Sequence, residues 1–368
     1  MSSFLSKKRT KQDYYEKISS EPVGTIENRK MAISNFEKFV SFEYDGKNSE
    51  DIFTELAILQ GQERENALYD MLQIWINWNI NEKRSSSTIR VMFSNLRNYF
   101  YYRSIKTDPQ DIKENLKFGK KVDDERHPLS DEEYRNIVMA LGKMPIRQAL
   151  YLCLGSSGMR IGEALRLRKK DLDFYHERIK INIPAEFTKT RKGRSTYISK
   201  EAGTKLKPIL DTIRPDDLIF NKSNNNTKHA AIIEQKILVS VLKRLGLNSK
   251  YSSNNHRKIT SHSFRSYFFT KAARKHGENY AHKMTGHGGY LMQYDRLTED
   301  EKLKMYLELE SDLMIFDQTK NESEIEKLRE ENQSIKELRE EVKKLRESQA
   351  KQDKRLLDDM REKDILPK

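Results

Sequence analysis

The sequence contains little cysteine. Its one thiol among 368 residues is Cys153, which lies in an apolar Leu-Cys-Leu run. A single cysteine excludes an internal disulfide framework and any zinc site built from several cysteines. We therefore expect Cys153 to be a core side chain in a protein of a reducing compartment.

The sequence also lacks long apolar runs. No segment approaches the roughly 18 consecutive apolar residues of a membrane span. The basic residues at the N-terminus are not followed by the apolar stretch of a secretory signal. These absences predict a cytoplasmic protein with no membrane partner.

Acidic residues are outnumbered by basic ones. The chain has 69 Lys and Arg against 56 Asp and Glu, for a formal net charge of +13. From Asp317 onward 14 basic residues face 15 acidic ones, which leaves +14 on residues 1–316. The basic excess thus lies where the aromatic and apolar residues are, and a folded surface of that charge favours double-stranded DNA as the partner. A merely basic soluble protein fits the charge equally well.

The first third of the chain has the periodicity of a helical bundle. Apolar residues recur at three- and four-residue spacing around 26–40 and 68–80, and a serine run that starts at Ser85 gives an N-cap signal for a further helix. The predicted boundaries are a disordered N-terminus at 1–20, a helical DNA-binding domain at 21–113 and a linker at 114–127.

Basic residues lie in or beside the last predicted helix of this bundle. Arg84, Arg90 and Arg97 are interleaved there with tyrosines. We predict that this face contacts DNA phosphates. A solvated basic helix face is the alternative.

A second domain is predicted at 128–316. Ser130 and Glu133 form a capping-box signal that opens its first helix, and 178–183 and 195–198 alternate like the strands of a hairpin with a charged tip. The fold expected for the chain is therefore mainly α, with a small antiparallel β-hairpin in an α+β second domain.

The last segment, 317–368, differs from both domains. Across 324–360, branched apolar residues follow a seven-residue repeat, and nearly all of the remaining positions are charged or polar. We predict a C-terminal coiled-coil helix that mediates self-association or binds a protein partner. A single charged helix held by local ion pairs is the alternative.

Three motifs in the second domain hold residues suited to phosphodiester chemistry. The run G-M-R-I-G-E places Arg160 at a helix start, where backbone amides also face an anion. The run S-H-S-F-R places His262 and Arg265 on one helix face. The run T-G-H-G is followed by Tyr290 and Tyr294. Attack of a hydroxyl on a phosphate among convergent cations needs no metal, so we expect no cofactor.

In this order and within one basic domain, the motifs resemble the tyrosine recombinase (phage-integrase) family, and the last motif is similar to that of archaeal integrases. The resemblance spans about Ser130 to Leu309. It implies a core-binding domain followed by a catalytic domain, and a site-specific recombinase that forms a 3′-phosphotyrosine without metal or ATP. It also implies a tetramer on DNA that integrates, excises or resolves DNA. The alternatives are a type IB topoisomerase-like enzyme and a catalytically inactive DNA-binding protein.

The resemblance also assigns roles to single positions. Arg160 and Arg265 would hold the scissile phosphate, while His262 and His287 would donate hydrogen bonds to it or assist proton transfer. Glu163 matches an acidic position that orients active-site groups.

The hairpin and the nucleophile are less sharply fixed. Lys189 matches the lysine that would protonate the leaving 5′ oxygen, with Lys192 as a competitor because the register of a hairpin tip does not follow from one sequence. Lys192 and Arg194 are also predicted DNA contacts. Tyr294 is the predicted nucleophile and Tyr290 the alternative. Beyond them, residues 303–316 are expected to dock onto a neighbouring subunit.

Overall fold

The structure, a computed structural model, is mainly helical, as predicted. It describes residues 9–122, 124–188, 190–221, 226–286, 297–316, 333, 335–346 and 348–349. The chain divides into two compact units. The first unit is Met1–Glu125 with Tyr251–His256, and the second is Arg126–Lys250 with Arg257–Lys368.

Helices build the described part of the first unit around an aromatic core. They are α1 (Lys11–Lys17), α2 (Val23–Glu43), α3 (Ser49–Ile58), α4 (Gly61–Asn81), α5 (Ser86–Tyr102) and α6 (Pro109–Asn115). Phe36 of α2 meets Phe100 of α5 edge to face, with 5.1 Å between ring centroids. The buried indole of Trp75 donates to the Asn35 side chain at 2.9 Å, so this donor is paired inside the core.

The N-terminal boundary differs from the prediction. Residues 1–20 were expected to be disordered, but α1 forms there behind a capping box between Thr10 and Asp13. Tyr14 and Ile18 are only 2% and 0% exposed. Besides these two buried side chains, an ion pair between Lys11 and Glu37 at 3.0 Å holds the short helix on the bundle, and composition alone does not reveal such contacts.

The predicted linker also begins too early. Position 114 lies inside α6, and Leu116 and Phe118, which follow that helix, are buried in the first core. Farther along, Ser253 donates its backbone N–H to the Asp124 carboxylate at 3.1 Å. The end of the first unit is thus anchored by side chains that a count of Lys and Asp overlooks.

The second unit combines helices with one small sheet. Its elements are α7 (Asp131–Ala140), α8 (Pro145–Ser157), α9 (Ile161–Ala164), β1 (Leu172–Asp173), β2 (Lys180–Ile183), β3 (Arg194–Tyr197), α10 (Lys200–Leu210), α11 (Thr227–Arg244), α12 (Ser261–His276), α13 (Glu278–Thr285) and α14 (Glu299–Leu313). The described strands pair antiparallel in the order β1-β2-β3, with Ile181 opposite Thr196. The predicted hairpin is therefore present as β2 and β3, and β1 is an addition to it.

Helix α14 packs into its own unit. Tyr306, Leu309 and Leu313 are at most 1% exposed, and the Tyr306 hydroxyl donates to the Ser156 carbonyl at 2.8 Å. Residues 303–316 were predicted to dock onto a neighbouring subunit; within this chain, their buried side chains pack into the second unit itself. Tyr306, Leu309 and Leu313 belong to the core of the second unit, whereas Leu303, Met305 and Phe316 are partly buried against it.

The described part of the tail is helical at 335–346. Its large apolar side chains are exposed, by 46% at Ile335, 60% at Leu338, 47% at Val342 and 63% at Leu345. In the described residues no helix is both long enough and apolar enough to cross a membrane.

Candidate active site

A glycine turn at the end of α8 positions Arg160, the first residue of the site. Gly158 has φ +66°, and a Cβ there would lie 2.5 Å from the Phe268 ring and 2.9 Å from the Thr285 methyl group. The left-handed conformation and the close packing both require glycine. The chain then runs through buried Met159 to Arg160, which precedes α9.

Glu163 of α9 holds Arg160 in place. One carboxylate oxygen accepts the Arg160 backbone N–H at 2.8 Å, and the other accepts Nη1 of the same residue at 2.9 Å. The Arg160 side chain keeps 27% of its surface exposed, whereas that of Glu163 keeps 2%. The guanidinium is therefore oriented by a buried carboxylate and still borders solvent.

Arg194 of β3 is the second partner of Glu163. Its Nη2 and Nη1 donate to the two carboxylate oxygens at 2.6 and 3.2 Å, which is a bidentate pair. Its Nε donates to the Met284 carbonyl near the end of α13 at 3.1 Å. Arg194 thus connects the hairpin, α9 and α13.

The surroundings of Glu163 keep it ionised. Burial by itself raises the pKa of a carboxyl, but hydrogen bonds and charge from Arg194, with a further contribution from Arg160, outweigh it and leave the pKa of Glu163 below its usual value. One negative charge therefore faces two guanidinium groups, and the cluster keeps a net positive charge.

The turn after α13 closes on Arg194. Gly286 has φ +69°, and a Cβ there would lie 2.9 Å from Cδ of Arg194. Arg194 was predicted to contact DNA, but its side chain is only 8% exposed and its donors are taken by protein acceptors. The bidentate pair with Glu163, 31 positions earlier in the chain, accounts for this burial, and a contact between Arg194 and DNA stays a prediction.

Helix α12 supplies the second cationic group. Arg265 is 1% exposed and donates from Nη1 to the Gly158 carbonyl at 2.5 Å and from Nη2 to the Thr285 carbonyl at 2.6 Å. Burial, with the nearby charge of Arg160, lowers its pKa to about 9, so it remains protonated at neutral pH. Its buried Nε has no hydrogen-bond partner among the described residues.

His262 lies one turn before Arg265 on the same helix. Partial burial and the charges of Arg265, Arg160 and Arg126 lower the pKa of His262 below its usual value. The imidazole is therefore largely neutral at pH 7 and has one N–H to donate.

These groups line one cavity of about 450 Å³. Arg160, Glu163, His262 and Arg265 border it, and Glu163 is the one acidic residue among its described lining residues. The full lining is Met159, Arg160, Ile161, Gly162, Glu163, Arg166, Phe187, Thr188, Ser261, His262 and Arg265. The cavity is thus a cationic site formed by α9, α12 and the start of the hairpin loop.

Sequence reasoning overlooked Arg166 and Thr188 in this lining. Arg166 is exposed and lies six residues after Arg160. Thr188 donates its hydroxyl to the Lys192 carbonyl at 3.0 Å and accepts the Lys192 N–H at 3.0 Å. This local closure of the hairpin loop leaves the Lys192 side chain exposed.

Several predicted site residues lie outside the described residues. They are Lys189, His287, Tyr290 and Tyr294. In the part of the chain that is described, no group of three His, Cys, Asp or Glu side chains is arranged to hold a metal ion.

The three arginines of the first unit that were predicted to contact DNA differ in their exposure and in their contacts. Arg84 and Arg90 are exposed, and Arg97 is half-buried. The Arg90 guanidinium lies over the Phe118 ring, 4.6 Å from its centroid, and Arg97 donates from Nε to the Thr107 hydroxyl at 3.1 Å. Their contact with DNA stays a prediction.

A family model matches the part of the chain that contains this cavity. Residues 127–293 match the model of the phage integrase family. Over this segment the chain is similar to the phage integrase family. The match confirms the family predicted from the order of the motifs, and it begins within three residues of the predicted Ser130.

Solved integrase structures share the fold. A lambda integrase dimer bound to a COC′ core site is 15% identical, with 78% of this chain and 79% of that chain covered and a TM-score of 0.54. A lambda integrase tetramer bound to a Holliday junction is 14% identical, with 78% of each chain covered and a TM-score of 0.52. At these identities the likeness is one of fold. A search of curated proteins found no match.

Proposed function

We propose that this chain is a site-specific DNA recombinase that cuts and rejoins strands through a 3′-phosphotyrosine formed by Tyr294. The observation that carries the proposal is the shared cavity of Arg160, His262 and Arg265. The match of residues 127–293 to the phage integrase family supports the reaction class. By the same reasoning, the first unit would be the core-binding domain, the second unit up to residue 316 the catalytic domain, and residues 317–368 a coiled coil.

The cavity is suited to a phosphate that gains negative charge. When a phenol attacks phosphorus in line, charge builds on the two non-bridging oxygens. Arg160 and Arg265 would neutralise it, and neutral His262 would add a hydrogen bond. Because Glu163 and two backbone carbonyls already orient these guanidinium groups, little reorganisation is needed during the reaction.

The remaining roles rest on the resemblance of the motifs to those of tyrosine recombinases. Lys189, with Lys192 as the alternative, would protonate the leaving 5′ oxygen, and His287 would be the second histidine of the site. The energy of the phosphoester is retained in the phosphotyrosine, so the 5′-hydroxyl of a second strand can reverse the step without ATP.

Recombination joins two duplexes and uses four such sites, which supports a tetramer on DNA. Proteins of the same fold have been seen as dimers on core-site DNA and as a tetramer on a Holliday junction. The net charge of +14 on residues 1–316 would supply phosphate contacts, with Arg84, Arg90, Arg97 and Lys192 as candidates. DNA affinity should then fall steeply as salt rises.

A nicked suicide substrate tests the nucleophile. The full chain is incubated with candidate attachment-site DNA in which cleavage releases a short fragment, and the tyrosine with the nucleotide adduct is mapped by mass spectrometry. We expect the adduct on Tyr294 and at least a thousandfold loss of covalent complex in Tyr294→Phe, because the substitution removes the attacking oxygen.

The matched control is Tyr290→Phe, which should leave the yield of covalent complex unchanged. An adduct on Tyr290 would reassign the nucleophile. Absence of any adduct on every site tested would favour an inactive DNA-binding protein. Relaxation of supercoiled DNA without exchange between two sites would favour a topoisomerase-like enzyme.

A further inference from the structure

The apolar stripe on the tail helix has no cover among the described residues. Ile335, Leu338, Val342 and Leu345 are between 46% and 63% exposed. They recur at alternating spacings of three and four, which places them on one face of the helix. Twelve helical residues present about 18 Å of this face, and it differs in this respect from the buried face of α14.

The residue types on the stripe indicate how many helices cover it. With Ile335 at position a of the heptad, Val342 is also at a, and Leu338 and Leu345 are at d. Beta-branched residues at position a with leucine at position d favour a coiled coil of two parallel helices over one of three or four helices. The choice of side chains therefore fits one further helix of the same kind.

The charges beside the stripe indicate which helix that is. Arg339 and Arg346 border the apolar groove at position e, and Glu341 is at g. In a parallel pair of identical helices, g of one chain faces the next e of the other, so Glu341 meets Arg346 of the second chain, twice by symmetry. In an antiparallel pair, e faces e, and arginines would face one another.

We propose that residues 335–346 form a parallel, in-register coiled coil with the same residues of a second copy of this chain. The chain would then be a dimer before it meets DNA. The interface does not depend on the proposed catalytic reaction, because none of its residues lines the cationic cavity.

Sedimentation of the full chain without DNA tests the interface. We expect a concentration-dependent dimer for the natural sequence. Leu338→Asp should weaken it by at least about 100-fold, because a carboxylate would be buried in the seam. A natural chain that stays monomeric at tens of micromolar, or a Leu338→Asp chain that dimerises equally well, would overturn the proposal.

Charge exchange tests the pairing. Glu341→Arg and Arg346→Glu should each weaken the dimer about tenfold, because two attractive pairs become two repulsive ones. Mixing the two variants, or combining both changes in one chain, should restore association. Glu340→Arg makes the same charge change on the outer face and serves as the control. If it weakens the dimer as much as Glu341→Arg, the pairing is wrong.

Disulfide trapping tests the orientation. Leu338→Cys should oxidise to a covalent dimer, since equivalent d positions face each other only in a parallel, in-register pair. Glu340→Cys should not, and the natural Cys153 is buried and does not interfere. A stable dimer without the Leu338→Cys cross-link would overturn the parallel arrangement.

Discussion

Helix α14 and the tail helix at 335–346 have similar patterns and opposite surroundings. Both carry large apolar residues on one face, and both were predicted to mediate association. Tyr306, Leu309 and Leu313 of α14 are buried in the core of their own unit, whereas Leu338 and Leu345 of the tail are exposed. Periodicity therefore reports that a face will be covered but does not say by which surface.

Polar partners distinguish the two helices. Glu310 of α14 is completely buried and pairs with Arg178 at 2.8 and 2.9 Å, while it also accepts the Lys200 backbone N–H at 2.7 Å. A buried carboxylate needs fixed donors of this kind. The charged residues of the tail lie outside its apolar stripe, and a second copy can supply partners for those at positions e and g.

Removal of the buried Glu310 carboxylate should separate the two helices most strongly, because only α14 depends on such a group for stability. Glu310→Ala leaves the Arg178 guanidinium, whose side chain is 14% exposed, without its main partner. We expect the free energy of unfolding of the second unit to fall by about 4 kcal/mol, as measured by urea denaturation. Glu340→Ala on the tail is the control and should cost no more than a few tenths of a kcal/mol. Equal effects would mean that α14 is not held as described.

Truncating the apolar faces should give the next largest effect. Leu309→Ala opens a cavity in the core and should cost about 3 kcal/mol. Leu338→Ala should leave the unfolding of the second unit nearly unchanged and reduce only the concentration-dependent dimer. Loss of folding stability from the tail variant at low protein concentration would contradict the division between a core helix and an exposed one.

A smaller, pH-dependent effect is expected just after α14. Glu201 is 4% exposed and accepts the backbone N–H groups of Ile315 and Phe316 at 3.3 and 2.9 Å. Burial raises the pKa of Glu201 to about 7. The two hydrogen bonds and the charge of Arg135 lower this pKa, but burial outweighs them. Because the folded-state pKa is the higher one, its contribution to stability is present below about pH 4.5 and is lost as pH rises through about 7.

The measurement is the free energy of unfolding at several pH values between 5 and 8. Glu201→Gln cannot ionise, so its stability curve should be flatter by on the order of 1 kcal/mol over this range. Glu132→Gln, at an exposed position of α7, should keep the slope of the natural chain. An unchanged slope in Glu201→Gln would place the pH dependence elsewhere.

Local signals were predicted well from the sequence. The capping box of Ser130 and Glu133 is present, with each backbone N–H bound to the other side chain at 3.0 and 3.1 Å. The hairpin and the shared helix face of His262 and Arg265 also follow from spacing alone. These features depend on residues within a few positions of one another, where geometry is fixed by the element itself.

Features that depend on distant partners were missed or misassigned. Arg194 looked like a surface cation because its partner Glu163 lies 31 residues away and on a different element. Residues 303–316 looked like a docking segment because the buried surface that receives them, including Ser156, is formed far earlier in the chain. No pattern within a window of ten or twenty residues carries that information.

The two backbone carbonyls that accept hydrogen bonds from Arg265 affect how variants of this site are interpreted. They lie at the C-terminal ends of α8 and α13, where the helix dipoles concentrate negative charge. The guanidinium therefore links the C-terminal ends of two helices and also places a positive charge beside the cavity. An inactive Arg265 variant would confound misfolding with lost chemistry. Arg160 keeps 27% of its side chain exposed and is held by nearby Glu163, so its variants report more cleanly on phosphate binding.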